Sequence, residues 1–132
     1  MIGLDTNILV RYFVSDDPAQ FRKAEDFITQ SRNVGNRLYV DDVVLCELVW
    51  VLRSSYKLDR ETIAAILDDM LYQGQFLFSD DVALEAALDD YIAGPGDFAD
   101  YVIGRRNKRA GCEATVTFDR GLRDENWFRI LS

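Results

Sequence analysis

Two short apolar runs, MIGL at residues 1–4 and ATVTF at 114–118, each stop at an aspartate, Asp5 and Asp119. The longer segments between them carry helical periodicity. Strand-length apolar runs alternating with helix-length amphipathic segments call for an α/β fold, because each buried strand needs apolar cover on both faces. Strands are expected at MIGL, NRLYV, QFLFS and ATVTF, with WFRIL as a fifth at the edge. Helices are expected at TNILVRYF, from Pro18 behind an Asp17 cap, and at DDVVLCELVWVLRSSY, RETIAAILDDMLY and DVALEAALDDYIA. Gly94-Pro95-Gly96 breaks the chain, and DFADYVIGRRNKRAG reopens it as a helix ended by Gly111. The expected architecture is three-layered: a mainly parallel sheet of four or five strands, helices on both faces and right-handed crossovers. At 132 residues the chain is expected to form a single domain over residues 1–132.

The absence of histidine narrows the chemistry most. It excludes Ser-His-Asp and Cys-His nucleophiles and the histidine acid/base pairs of metal-free ribonucleases. A hydrolase built from these residues must activate water otherwise, and a divalent metal held by carboxylates does so. Two cysteines, Cys46 and Cys112, cannot build a zinc site and are read as reduced, packed thiols. The start MIGLDTN has no basic region, and the longest apolar run, Val43 to Leu52, contains Glu47, so no signal peptide or membrane span is expected. A cytoplasmic location is expected. The net charge of −8 runs against phosphate binding, although bound metal ions offset acid locally.

Asp5 and Asp119 hold equivalent places, since ligands in an open parallel sheet bind beyond the carboxyl ends of the strands. A lone strand-end aspartate reads first as a helix N-cap, but two in matching positions shift the balance towards a site. Thr6 and Asn7 beside Asp5, and Thr117 before Asp119, are candidates for supporting hydrogen bonds. Glu47 is the only charged residue in VVLCELVWVL, and a carboxylate in apolar surroundings requires a cation or donors. A metal would serve, as would an arginine such as Arg11 or Arg53. Asp97 sits where an N-cap is wanted, and Asp100 projects from the first turn of the same helix. Hard oxygen ligands without Cys or His favour Mg²⁺ or Mn²⁺.

The strings LDTNILVRYF, VLCELVWVL, GDFADYVIG and TFDRGL resemble, in order and spacing, the PIN-domain nucleases, in particular VapC toxins. The resemblance covers essentially the whole chain. It matches Asp5, Glu47, Asp100 and Asp119 to the family's four acidic catalytic and metal-ligating residues, with Asp97 as an accessory ligand. It implies a PIN-like five-stranded parallel sheet, a Mg²⁺- or Mn²⁺-dependent endoribonuclease and a homodimer. It also implies inhibition by a cognate antitoxin protein, and in-line attack of water on RNA to leave 5′-phosphate and 3′-hydroxyl ends.

Among the basic residues that follow Asp100, Lys108, Arg105 and Arg109 are candidate contacts to RNA phosphates; a solvated helix end complementing its own dipole is the competing reading. Trp50, Trp127 and the phenylalanines are read as core. Tyr12, Phe21 and Phe27 are candidates for a dimer or antitoxin surface. Three other readings compete with the nuclease. A non-catalytic module of the same fold would capture a basic partner in its acidic cleft. An aspartyl-phosphate enzyme would want a second aspartate where Asn7 stands, and a flap-cutting DNA nuclease would need more chain.

Overall fold

The computed structural model describes residues 1–123 and 127–131. It resolves into two compact units, Met1–Ser79 and Asp80–Ser132, each taken on its own below.

In the first unit, β1 (Ile2–Gly3) pairs in parallel with β2 (Leu38–Tyr39), and Tyr39 bridges in parallel to Leu77. The expected third strand QFLFS is thus present as a single bridge, with Leu77 both donating to Leu38 and accepting from Val40. Helices α1 (Thr6–Phe13), α2 (Pro18–Asn33), α3 (Asp42–Ser54) and α4 (Arg60–Tyr72) complete it. Helix α2 begins at Pro18 with Asp17 as cap, its carboxylate accepting from the Gln20 amide at 3.1 Å. Helix α1 packs on α2 and α3, and α3 on α4. Leu9, Ile28, Leu45, Leu48, Leu52, Ile63 and Met70 are wholly buried and form the centre of this core.

The buried face of α3 is Leu45, Leu48, Val49 and Leu52; Val43, Glu47 and Trp50 lie on the opposite face and are exposed. Two expectations change here. Trp50 is 58% exposed rather than core, and Glu47 does not sit in an apolar interior. A run that is apolar all round hides which stripe faces solvent.

In the second unit, α5 (Asp81–Ala93) packs along α6 (Phe98–Arg109), and β3 (Thr115–Thr117) pairs in parallel with β4 (Phe128–Ile130). Tyr91 and Phe98 meet edge to face at 5.9 Å inside its core. The chain enters α6 through Gly96, whose amide donates to the Tyr101 hydroxyl at 2.8 Å. Further along α6, a Cβ on Gly104 would stand 2.8 Å from Phe128 Cζ, so glycine is what lets β4 seat its ring against the helix. Helix α6 is followed by Gly111 at φ +100°, and Cys112 next to it is exposed rather than packed. Phe118 at 78% exposed is likewise not core. Among the described residues, no helix is long and apolar enough to cross a membrane.

Asp80 ties this unit together. Its carboxylate caps α5 through the Ala83 amide at 3.0 Å and meets Arg109 at 2.5 Å and Arg106 at 3.3 Å, both on α6. Burial pushes the Asp80 carboxyl up, but the Ala83 amide and the two guanidiniums outweigh it and hold it below its ordinary value of 3.8. A carboxylate with a lowered folded-state pKa contributes stability that is complete above the unfolded value and is lost as pH falls through the folded one. Asp80→Asn keeps a capping oxygen and removes the charge. Denaturant unfolding should show wild type more stable than Asp80→Asn at neutral pH, with the gap closing as pH drops below 3.8.

Candidate functional site

Thr6 is the residue on which the first unit's acidic pair is built. Its amide donates to Asp5 Oδ1 at 2.7 Å, which makes Asp5 the N-cap of α1. Its hydroxyl donates to Glu47 Oε1 on α3. Thr6 itself is only 6% exposed, so one buried residue, through its backbone amide and its hydroxyl, joins a strand-end carboxylate to a helix carboxylate far along the sequence. What holds Glu47 is therefore a hydroxyl donor, and Arg11 pairs with Asp16 instead.

Asp5, Thr6, Asn7 and Glu47 all line one open cavity of about 350 Å³, closed by Val10, Arg11, Val51, Ser55 and Tyr56. Every polar donor to a cation here is a hard oxygen, and the chain has no histidine, so the lining fits Mg²⁺ or Mn²⁺ rather than a softer ion. Cys46 does not alter this. Burial first, then the Asp42 and Asp41 carboxylates, push its thiol up to about 11, which leaves it protonated and a poor nucleophile or ligand.

The second unit carries the other candidates. Asp119 follows β3 and caps the 3₁₀ turn Arg120–Leu122, its carboxylate accepting from Gly121 at 2.9 Å while its own amide donates to Thr117 Oγ1 at 3.0 Å. Asp100 is half-buried in the first turn of α6. Asp97 occupies the N-cap position of that helix, yet its side chain makes no capping hydrogen bond. It is exceptional in this, because the aspartates before α1, α2, α3, α4, α5 and the 3₁₀ turn all cap through the side chain. The capping account of Asp97 therefore fails. Within each unit, among the described residues, no group of three or more His, Cys, Asp or Glu stands ready to hold a metal ion.

The basic segment of α6 is engaged within its unit. Arg105 makes a two-pronged pair with Asp90 at 2.7 and 2.8 Å, and Arg109 and Arg106 meet Asp80. Lys108 Nζ stands 2.9 Å from the centre of the Trp127 ring, a cation–π contact. Sequence reasoning missed the role of Arg11 and Tyr56 in walling the first unit's cavity. Arg11 could have been found, being one helical turn beyond Asn7 on the same face of α1. Tyr56 follows the end of α3 and carries no linear signal.

Residues 2–125 match the PIN domain family. The chain belongs to that family. A curated relative, the VapC ribonuclease of Aquifex aeolicus (strain VF5), is 28% identical over 117 residues, which is 89% of this chain and 86% of the relative. The parallel strands and six α-helices described above are consistent with a PIN-like α/β fold.

Removing the Thr6 hydroxyl tests the link that organises the pair. Thr6→Val should lower unfolding free energy by about 1 kcal/mol, the net contribution of one hydrogen bond, while Thr6→Ser should stay near wild type. Urea unfolding of the three proteins reads the difference.

Proposed function

We propose that this PIN domain is a metal-dependent endoribonuclease, the toxin of a toxin–antitoxin pair, and that both units form one domain over residues 1–132. The observation that carries the reading is the coupling of Asp5 and Glu47 through Thr6 at the rim of one cavity, in a chain of the PIN family. The Aquifex aeolicus relative, a VapC ribonuclease, supports ribonuclease activity. Asp100 and Asp119 complete the set in this reading, with Asp97, the N-cap aspartate that does not cap, as the accessory ligand.

Asp5, Glu47, Asp100 and Asp119 would hold Mg²⁺ or Mn²⁺. When bound, such an ion lowers the pKa of water and neutralises charge on the scissile phosphate. Thr6 keeps the Asp5 and Glu47 carboxylates aimed at one place, so little reorganisation is needed when RNA arrives. Asn7 lines the same space with an amide able to donate to a phosphate oxygen, and Thr117 braces Asp119 through its amide. The products are 5′-phosphate and 3′-hydroxyl ends. A cytoplasmic homodimer held in check by a cognate antitoxin protein belongs to the same proposal.

The deciding experiment induces wild type and Asp5→Asn separately and sequences the new RNA 5′ ends. Wild type should arrest growth and create ends that Asp5→Asn does not, and purified wild type should lose RNA cleavage in EDTA and regain it with Mg²⁺ or Mn²⁺. Equal arrest with identical ends would end the catalytic reading and favour a binding module of the same fold.

Lys108, with Arg105 and Arg109, is proposed as a contact to the RNA backbone, reached at the expense of the Trp127, Asp90 and Asp80 contacts. Reversing Arg109 would also disturb Asp80, so Lys108→Glu is the cleaner variant. Its RNA affinity should fall and lose salt dependence, with a log–log slope shallower by about 0.7 for a single strand; fluorescence anisotropy across a KCl series measures both.

A further inference from the structure

Arg11 is the one cation lining the cavity that holds Asp5 and Glu47, among the described residues. It also lines an adjoining cavity of about 540 Å³ in the same unit, together with Asn7, Lys23 and Phe27. Asn7 and Arg11, one turn apart on α1, are therefore the wall common to both spaces. The guanidinium is held in place on one side. Its Nη1 donates to Asp16 Oδ1 at 3.0 Å and to the Tyr56 hydroxyl at 3.4 Å, and that hydroxyl donates to Asp16 Oδ2 at 3.1 Å. Neither of Arg11's bonds uses Nε or Nη2, and its side chain is 31% exposed.

We propose that Arg11 binds the RNA phosphate next to the scissile one, steering the strand from the acidic pair into the α1–α2 cavity. This rests on the reading of Asp5 and Glu47 as part of the cutting site. A polyanion lying across two carboxylates is repelled wherever it outruns the metal's charge, so the neighbouring phosphate needs a cation at the rim. Arg11 stands on that rim, with a planar fork suited to two phosphate oxygens and the Asp16–Tyr56 pair fixing its direction. Beyond it, Lys23 supplies a further positive charge and Phe27, at 44% exposed, a ring on which a base can stack. Arg11 acts here as a substrate-positioning residue.

The test uses the full chain carrying Asp5→Asn, so that RNA stays uncut, with Mg²⁺ and a short fluorescein-labelled single-stranded RNA. Adding Arg11→Ala should weaken binding about tenfold, the loss expected for one charge-assisted hydrogen-bonded contact. It should also make the slope of log affinity against log KCl shallower by about 0.7. Arg11→Lys should keep the slope and lose part of the affinity, because the charge remains and the fork does not. In the otherwise wild-type chain, Arg11→Ala should raise KM more than it lowers kcat. A purely structural Arg11–Asp16 pair would lower the melting temperature and leave affinity and slope alone, which overturns the proposal. If Arg11→Ala unfolds, Arg11→Lys decides, and parental affinity there also overturns it. An Asp5→Asn chain that still cleaves RNA refutes the nuclease site itself, an outcome distinct from any result at Arg11.

Discussion

The hydrogen bond from Thr6 to Glu47 is the constraint on which the first unit's site depends. A threonine at the start of a helix has its amide and hydroxyl pointing to different places, and here each finds a carboxylate. The amide belongs to the unsatisfied first turn of α1 and must be met by an acceptor. The hydroxyl is buried and must be met as well. Satisfying both obliges α3 to pass close to the start of α1, and these two helices are packed together. The geometry of two carboxylates thus follows from the hydrogen-bonding needs of one small residue.

Much of this was legible in the sequence, and the failures have a common cause. Strand-end aspartates, Pro18 behind Asp17 and the glycine-ended α6 are local signals, and local chemistry is what single residues report. Glu47 is the one charged residue of an apolar run, but the burial that run implies is not what the structure shows. It is exposed on the face of α3 that also carries Val43 and Trp50, and its partner is a hydroxyl. Periodicity could not find that face, because nearly every residue of the helix is apolar. The QFLFS segment shows the same limit, its strand character reduced to one bridge at Leu77. Arg11 in the cavity wall, and its tie to Tyr56, depend on contacts between segments that no linear pattern records.

The acidity of the chain also takes a different meaning in three dimensions. With 23 acidic against 15 basic residues, its charge looks hostile to RNA. Among the described residues, however, an aspartate precedes each of six α-helices and the 3₁₀ turn, and all but Asp97 direct the side chain at a helix N-terminus. There the negative charge faces the positive end of the peptide dipoles. Six of the 23 acidic side chains are therefore engaged at helix starts within the fold, so the net charge by itself says little about the surface.

The seating of Phe128 against Gly104 carries an evolutionary consequence. A side chain at position 104 and a full aromatic ring at 128 compete for the same volume, so bulk at 104 requires a smaller residue at 128. Relatives that acquire bulk on the helix should have shed it from the strand, leaving a correlated pair of substitutions. Such covariation would join positions 24 residues apart through steric exclusion alone.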